Sequence, residues 1–370
     1  PMMKQYREAR DSLNDDTLLL FRLGDFYEMF ERDAERGAAL LGITLTKRHD
    51  MPMAGIPSHA ADGYLTKLLN GGQKVAICDQ LEPAQTGKLV KRGITRILTP
   101  GTVLEDRQLD AGHNHFLLAV DFGRKGSFAS WLDLSTGKFF LARSESPRDF
   151  LSVLGALSPR EVLIPEGLNK KVSQLEDGAL IAEELDRLFS GVTLTERPDF
   201  DFDQRTGARE VMEGLGVMNL EGFGLDLEHH ALGTAGALLI YAQDVLKGKP
   251  GNLSRIEEYC TEDSLLLDPA TQRNLEVFKT SAQTRKGSLL DAIDNTVTSA
   301  GARLLESYLS SPERKLKEIH RRQSCVLEFS RAPGAVEEVA SILKTGSDLE
   351  RILGRLRNRL VRPRELGGLR

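Results

Sequence analysis

The segment GDFYEMF near the start of the chain sets a phenylalanine and a carboxylate two positions apart. In an extended chain the side chains alternate, so Phe26, Glu28 and Phe30 share one face. Tyr27 and Met29 share the other face. A face that is apolar, acidic and apolar again is unusual for a plain core strand. Two interpretations follow: a strand that enters the core with Glu28 at an edge, or a probe for a nucleic-acid duplex.

The probe interpretation depends on how duplex DNA deforms. An apolar wedge can be pushed between base steps from the minor groove, which unstacks them and kinks the helix. A mispaired step is already weakly stacked, so inserting the wedge costs less free energy there. A wedge therefore selects mispaired steps because they are easier to deform. A carboxylate beside DNA is tolerable where it makes a hydrogen bond, for instance to a displaced base edge. Phe26 and Glu28 on one face would suit such a probe.

Asp121 and Asp133 suggest an alternative chemistry. They fall on successive predicted strands, and a carboxylate pair near a nucleic acid could hold Mg²⁺. The alternative function is therefore a metal-dependent nuclease or resolvase. Strand-end aspartates are common at hairpin turns, and the surrounding segment is net acidic, so a structural role is favoured over catalysis.

Other kinds of chemical site are not indicated. The sequence contains no GxxxxGK[ST], so no ATP phosphate can be cradled in the usual P-loop way. His113 and His115, and the adjacent His229 and His230, come without a Cys or carboxylate cluster at ligand spacing. The sequence therefore predicts no metal site and no cofactor within this chain.

Length and composition indicate an ordinary globular protein with two or three domains, because 370 residues are too many for one compact core. The three cysteines are far apart and odd in number, which is typical of reduced cytosolic thiols. No apolar run approaches the ~18 residues of a membrane span, and no signal-peptide pattern occurs. We expect a cytoplasmic protein without a membrane segment.

The net charge of −5 is unevenly distributed. Residues 1–105 are neutral, residues 106–250 carry −8, and residues 251–370 carry +3. Because an acidic surface repels a polyanion, phosphate contacts are expected at the two ends rather than in the middle. The middle third is predicted to be a spacer or a docking surface for protein.

Three regions organise the chain. Residues 1–105 mix helices (MMKQYREARDSL, ADGYLTKLLNGG) with a strand over LLLFRLGDFYEMF and a turn-rich MPMAGIPS. Residues 106–247 open with three strands of a β-meander and continue as an α/β layer. After the linker KGKPGN, residues 248–370 are almost wholly helical, with helix starts predicted at Asp268 and Ser311, each followed by proline.

The last helical segment pairs a leucine stripe with an arginine face. The arginines are expected to be solvated and to pair with neighbouring acidic helices, in preference to contacting DNA. The stripe consists of Leu349, Ile352, Leu353, Leu356 and Leu360, and the opposite face of Arg351, Arg355, Arg359 and Arg362.

Several motifs, taken in order, resemble the MutS family of DNA mismatch-repair proteins. GDFYEMF is followed by ITLTKR, PMAGIP, VAICDQLEPA and RILTPGT, and later by LLLDPATQRNLEVF, VTSAGARLL and RPREL. The resemblance covers nearly the whole chain and corresponds to the amino-terminal half of the family. It implies that Phe26 stacks on a mispaired base and that Glu28 hydrogen-bonds to it.

The resemblance also implies a multidomain α/β fold. Residues 1–105 would form a small mixed α/β mismatch-binding domain. Residues 106–247 would form an RNase-H-like α/β connector, which in the family lacks nuclease activity, and residues 248–370 all-α core and lever helices. The ATPase of the family, with its ATP and Mg²⁺, and its DNA clamp lie beyond Arg370. We therefore expect a longer protein, and no enzyme activity from this chain.

The partners that the resemblance implies are mismatched duplex DNA, MutL through the connector, and a second copy in the full-length homodimer. A monomer is left open for this chain alone. The loop HDM between TKR and PMAGIP is short, so few DNA contacts are assigned to it. The candidates for phosphate contact, each with the alternative role of a solvated surface residue, are Lys47, Arg48, His59, Lys91, Arg92 and Arg96.

Overall fold

A computed structural model describes residues 2–82, 90–105, 108–260 and 264–369. Residues 83–89, which hold part of the QLEPA motif, and residues 106–107, where the second predicted domain begins, lie outside the described residues. The described chain is mixed α/β, with two six-stranded sheets followed by helices. This arrangement confirms the predicted class, whereas the exact domain boundaries stay predictions.

The first sheet lies within residues 17–98. Its strands are β1 (Thr17–Leu23), β2 (Phe26–Phe30), β3 (Thr46–Arg48), β4 (Met51–Pro57), β5 (Lys74–Gln80) and β6 (Arg92–Leu98). Its helices are α1 (Met2–Asp11), α2 (Glu31–Leu41) and α3 (Ala61–Asn70). The strands lie in the order β3-β4-β2-β1-β5-β6, in which β1 and β5 are parallel and the other neighbours antiparallel.

The helices cover the two faces of the first sheet unequally. One face packs against α2 and α3, over side chains that include Tyr27 and Met29. The other face meets α1 through Tyr6, whose ring contacts Phe21 and Phe30 edge-on, with centroids 5.6 and 5.0 Å apart. Burial of these apolar groups stabilises the sheet at about 25 cal/mol per Å². The part of this face near the β1–β2 turn stays open to solvent.

Two features of this region differ from the prediction. LLLFRLGDFYEMF is two strands, because Gly24 adopts φ 58° and, with Asp25, turns β1 back onto β2. Glycine enters this left-handed region without the steric cost of a Cβ. MPMAGIPS, predicted to be turns, contains strand β4. Its prolines, Pro52 and Pro57, lie near the two strand ends, where the missing N–H disrupts the ladder least.

The second sheet lies within residues 117–258. Its strands are β7 (Leu117–Gly123), β8 (Gly126–Asp133), β9 (Lys138–Ser144), β10 (Glu161–Pro165), β11 (Thr193–Arg197) and β12 (Glu257–Glu258), in the order β11-β10-β7-β8-β9-β12. Its helices are α4 (Pro147–Ala156), α5 (Leu168–Ser173), α6 (Gly178–Leu188), α7 (Gln204–Leu215) and α8 (Leu232–Leu246). The antiparallel β7-β8-β9 unit confirms the predicted meander, and β10 and β11 extend it in parallel.

Helices cover both faces of the second sheet. Helix α8 is buried on almost every side and packs with α7 against one face, whereas α4, α5 and α6 pack against the other. Helices α7 and α8 cross closely at Gly207, where a Cβ would lie 2.0 Å from the Leu232 carbonyl oxygen. The close crossing explains why a helix this apolar carries small residues along its length.

The remaining helices are α9 (Pro269–Asn274), α10 (Leu289–Ile293), α11 (Ser299–Ser310), α12 (Leu316–Ser330), α13 (Pro333–Lys344), α14 (Leu349–Arg357) and α15 (Pro363–Gly367). Asp268 caps α9 as predicted, accepting from the amides of Ala270 and Thr271 at 3.0 Å. The predicted cap at Ser311 is wrong, because the following backbone forms a β-bridge to Ser264 instead. None of the helices in the described ranges combines enough length and apolar character to cross a bilayer.

Helix α14 is oriented differently from the prediction, although Ile352 of the predicted stripe is buried. Arg351 and Arg355 are only 1% and 2% exposed, whereas Leu353 of the predicted core stripe is 49% exposed. The buried face rests on the turn after β8, since a Cβ on Gly354 would lie 2.2 Å from the Ser135 carbonyl oxygen. The expectation of a solvated arginine face is therefore wrong for these two positions. Arg359 and Arg362 follow the end of the helix.

The segment between the two sheets explains this orientation. Arg351 donates to the carbonyl oxygens of Asp110 and His113 at 3.0 and 2.8 Å. Arg303, on α11, donates to the Ala111 carbonyl oxygen at 3.0 Å. Buried carbonyls need donors, and a guanidinium supplies several in a fixed geometry. The arginines therefore face inward because the segment presents its backbone to them.

A buried carboxylate attaches the segment that follows the first sheet to the second sheet. Glu161, at the start of β10, accepts from Thr99 Oγ1 at 2.5 Å and from the Gly101 amide at 3.0 Å. Its other oxygen accepts from Thr195 Oγ1 and Tyr241 Oη, both at 2.6 Å. Four donors make burial of this carboxylate tolerable. The TPGT segment after β6 is thereby held against the second sheet.

Candidate nucleic-acid interface

The predicted probe lies at the open end of the first sheet. The Ser58 amide donates to the Asp25 carbonyl oxygen at 2.8 Å, which ties the end of β4 to the β1–β2 turn. Phe26, the first residue of β2, is 47% exposed, whereas Tyr27 is 8% exposed and Phe30 is fully buried. Tyr27 and Met29 pack into the core on one side of the sheet and Phe30 into the core on the other side, which confirms the predicted alternation. The Phe26 ring is half-exposed.

The opposite face of the hairpin anchors the probe. Tyr27 Oη donates to Asp79 Oδ1 at 2.9 Å, and the Arg22 guanidinium lies 5.2 Å from the centre of the Tyr27 ring. Burial, with the neighbouring Asp79 carboxylate, raises the pKa of Tyr27. The sequence does not indicate this pair. A buried tyrosine hydroxyl signals that a partner exists, but the partner lies 52 residues away in the chain.

The Glu28 side chain is mostly covered, and Arg48 of the β3–β4 hairpin is its charged neighbour. Phe21 of β1 and Gly55 of β4 stand opposite Glu28 on the flanking strands. Arg48 Nη1 lies 3.4 Å from Glu28 Oε2. Partial burial raises the pKa of the Glu28 carboxyl, and the Arg48 charge opposes this rise. The carboxylate therefore sits beside Phe26 in an ion pair with Arg48.

Four of the six basic candidates are exposed side chains, and three of these four lie at the edges of the first sheet. Lys47 and Arg48 lie on β3 at one edge, and Lys91 directly precedes β6 at the other. Five strand spacings of about 4.8 Å separate these edges by roughly 24 Å. His59 follows β4, whose Pro57 pairs with Phe26. Arg48 contacts Glu28, and His59 lies two residues beyond the position of β4 that pairs with Phe26.

The other two candidates are engaged within the chain. Arg92 donates to the Arg22 carbonyl oxygen at 2.8 Å and stacks over the Phe21 ring at 5.5 Å. Arg96 forms a short ion pair with Glu105. Both side chains are therefore partly committed to the fold of the first sheet and to its exit.

The two aspartates of the nuclease alternative are not brought together. Asp121 pairs with Lys171 at 3.0 Å, and burial raises its pKa. Asp133 is fully buried and accepts from the amides of His115 and Ser135, both at 2.9 Å. In the β7–β8 register they lie toward opposite ends of the hairpin, roughly 17 Å apart at ~3.4 Å per residue. This separation is a correction: they cannot share one metal ion.

The histidines have structural partners. His113 Nδ1 lies 3.0 Å from Glu306 Oε1, and His115 hydrogen-bonds to the Pro100 carbonyl oxygen. His229 Nε2 lies 3.0 Å from Glu258 Oε1, and His230 Nδ1 lies 2.6 Å from Gln204 Oε1. Over the described ranges, no group of three or more His, Cys, Asp or Glu side chains is arranged to hold a metal ion.

Three family models match the chain in succession. The model described as MutS domain I matches residues 1–107, MutS domain II matches residues 115–257, and MutS domain III matches residues 270–370. Together the three matches extend over almost the whole chain, in the order in which the domains are numbered.

Curated relatives agree with these matches. The chain is 40% identical over 362 residues to the DNA mismatch repair protein MutS of Myxococcus xanthus, covering 96% of this chain and 40% of that protein. It is 40% identical over 381 residues to the protein of the same name from Symbiobacterium thermophilum, covering 100% of this chain and 42% of that protein. The corresponding protein of Syntrophobacter fumaroxidans is 38% identical over 379 residues. The chain thus spans about two fifths of the length of these relatives. It belongs to the MutS family, of which it carries domains I, II and III.

Proposed function

We propose that this chain recognises mismatched or unpaired bases in duplex DNA, as the first step of DNA mismatch repair. The observation that carries the proposal is the half-exposed Phe26 ring beside the Glu28 carboxylate, at the open end of the region that matches MutS domain I. The names of the relatives support the repair role.

Phe26 is proposed to act as a wedge from the minor groove. An aromatic ring inserted at a base step gains stacking worth about 1–3 kcal/mol per base. The ring must also offset the cost of unstacking the step, which is smallest where pairing is already defective. Fully buried neighbours such as Met29 and Phe30 hold the strand rigid, so little conformational entropy is lost when Phe26 inserts.

Glu28 is proposed to hydrogen-bond to the displaced base. A carboxylate is repelled by every duplex, and it gains a compensating hydrogen bond only where a base edge is accessible. Glu28 therefore discriminates between the duplexes because its carboxylate weakens binding to paired DNA. The exposed basic side chains of the first sheet would contact phosphates and position the probe without reading the sequence.

The second and third regions are assigned other roles in this proposal. The β7-β8-β9 meander extended by parallel β10 and β11 is compatible with the RNase-H-like connector that the family resemblance implies. The acidic charge of residues 106–250 suits a protein partner better than DNA, and we propose MutL. ATP hydrolysis, its Mg²⁺ and the homodimer are assigned to the full-length family, with the helices from α9 onward forming part of its core and levers.

The proposal is tested by titrating this chain into labelled duplexes that differ by one mispair. We expect tighter binding to the mismatched duplex and no shortening of either strand in the presence of Mg²⁺ or Mn²⁺. Equal affinity for the two duplexes would contradict the recognition role. Strand cleavage would contradict a role limited to binding.

A further inference from the structure

An ion pair spans two strands beside the proposed wedge. Arg48, at the end of the edge strand β3, places Nη1 3.4 Å from Glu28 Oε2. Its side chain is 45% exposed and that of Glu28 is 19% exposed. Gly55 of β4 stands opposite Glu28 and presents no side chain there, and its absent Cβ would lie 3.5 Å from Glu28 Cγ. The glycine leaves room beside Glu28 for the guanidinium.

The fold does not depend on this contact. Strand β3 is held to β4 by its backbone register from Thr46 to Arg48, and Glu28 is paired on both sides through β1 and β4. The Arg48 side chain is 45% exposed, and an ion pair that is open to solvent on one side adds little to folding stability. The contact therefore holds two side chains beside the probe without being needed to build the sheet.

We propose that Arg48 is a specificity-determining, positioning residue that holds the Glu28 carboxylate until a displaced base competes for it, and that then contacts a DNA phosphate. The inference rests on the proposed function and names a partner exchange at the same site. On paired DNA the ion pair stays closed, so that Glu28 withholds the Arg48 charge from the phosphates. On mismatched DNA, Glu28 turns to the base and the Arg48 charge becomes available to the backbone.

Partial burial and the charge of Arg48 have opposite effects on the ionisation of Glu28. Burial raises the pKa of Glu28, and Arg48 is the charged neighbour that lowers it. The residues opposite Glu28 on the adjoining strands, Phe21 and Gly55, do not titrate. Arg92, which stacks over Phe21, is occupied with the Arg22 carbonyl oxygen at 2.8 Å. Arg48 is therefore the cation placed to control the carboxylate.

Salt dependence of binding distinguishes the exchange from an ordinary phosphate contact. Each neutralised phosphate contributes about −0.9 to the slope of log K against log salt. The parent chain should show a slope steeper by about one phosphate on a mismatched duplex than on its perfectly paired counterpart. In Arg48→Met both slopes should fall to the shallower value. In Glu28→Gln, which frees Arg48 on every duplex, both should rise to the steeper value.

Lys47→Met is the matched control, because it removes one charge from the adjacent position of β3, whose side chain points to the other face. Any decrease in the salt slope of Lys47→Met should be the same on the mismatched and the paired duplex. A second readout uses no DNA. The titration of the Glu28 carboxyl is followed by NMR with labelled glutamate, and Glu28→Gln assigns its signal. The titration should move to higher pH in Arg48→Met and should stay in place in Lys47→Met.

The outcomes separate the two hypotheses. A parent chain with no mismatch preference overturns the proposed function and this inference with it. A parent chain that prefers the mismatch with equal salt slopes on both duplexes overturns this inference alone. A Glu28 titration that Arg48→Met leaves in place also overturns it, because the ion pair would then not govern the carboxylate.

Discussion

Arg303 donates to both carboxylate oxygens of Asp348, at 2.7 and 2.9 Å, and its side chain is completely buried. The same guanidinium donates to the Ala111 carbonyl oxygen at 3.0 Å. This bidentate ion pair joins α11 to the start of α14. The hydrogen bond from Arg303 to Ala111 holds the segment that connects the two sheets. Helices α11 and α14 and the segment between the two sheets are thus coupled through one buried charge.

Replacing Arg303 by methionine should destabilise the chain by about 3–5 kcal/mol, since it leaves Asp348 without its principal partner in a buried site. Arg303→Lys should recover only part of the loss, because an ammonium cannot reproduce the fork. The single tryptophan, Trp131, is buried in the second sheet and reports urea unfolding by its fluorescence.

Arg321→Met is the control for this substitution, since Arg321 is exposed and pairs with Glu318 on the surface. Its unfolding midpoint should match that of the parent. An Arg303→Met midpoint equal to that of the control would show that the junction does not depend on the buried pair.

His115 should make the chain less stable on mild acidification. Burial lowers its pKa to about 4, against about 6.5 in the unfolded chain. The unfolded state therefore binds more protons between these values, so stability is complete above about pH 6.5 and is lost as the pH falls toward 4. His113 acts in the opposite direction, because its hydrogen bond to Glu306 raises its pKa.

His115→Gln should flatten this loss by at most about 1.4 kcal/mol per pH unit, the limit for one proton. The measurement is the urea midpoint of Trp131 fluorescence at about pH 7.5 and pH 5.5. The exposed His59→Gln is the control and should follow the parent. A His115→Gln variant that loses as much stability as the parent on acidification would refute the assignment.

The chain alone should bind DNA weakly. Residues 1–105 carry no net charge, and the exposed basic candidates are Lys47, Arg48, His59 and Lys91. With two to four phosphates neutralised, as a rough estimate, the salt slope is shallow and affinity is on the order of micromolar or weaker. Anisotropy of a labelled mismatched duplex at several salt concentrations measures both. Nanomolar binding with a steep salt slope would mean that other arginines, or a second copy in a dimer, also contact the DNA.

Glu28→Ala should raise affinity for perfectly paired DNA and reduce discrimination. The substitution removes a carboxylate that every duplex repels and that gains a hydrogen bond only at a displaced base. Paired and mismatched duplexes are titrated in parallel to obtain both affinities. Weaker binding to paired DNA in the variant would assign Glu28 a structural role instead.

Local pattern predicted much of the first sheet. Alternation in FYEMF predicts that Phe26 and Glu28 share one face, because the side-chain period is a property of the strand itself. LLLFRLGDFYEMF is predicted to be one strand because apolar residues continue on both sides of a turn that contains only Gly24 and Asp25. Strand β4 was missed because its prolines and glycine are typical of turns.

Long-range contacts account for the remaining differences. The leucine stripe of α14 predicted a buried face, yet Arg351 is buried because it supplies donors to carbonyls of Asp110 and His113, far away in the chain. The Arg48–Glu28 pair likewise joins residues on strands that are not neighbours in the sheet. No periodicity within one element carries such information.

The most direct test of the mismatch-recognition account is the ratio of affinities for paired and mismatched duplexes in Phe26→Ala, at protein concentrations up to about 100 µM to cover the non-specific range. The matched control is Phe200→Ala, which removes a ring that is 72% exposed beside the second sheet. The account predicts that the preference for the mismatch disappears in Phe26→Ala, consistent with a loss of about 1–3 kcal/mol of stacking, and persists in Phe200→Ala. A Phe26→Ala variant that keeps the parent's ratio would contradict it.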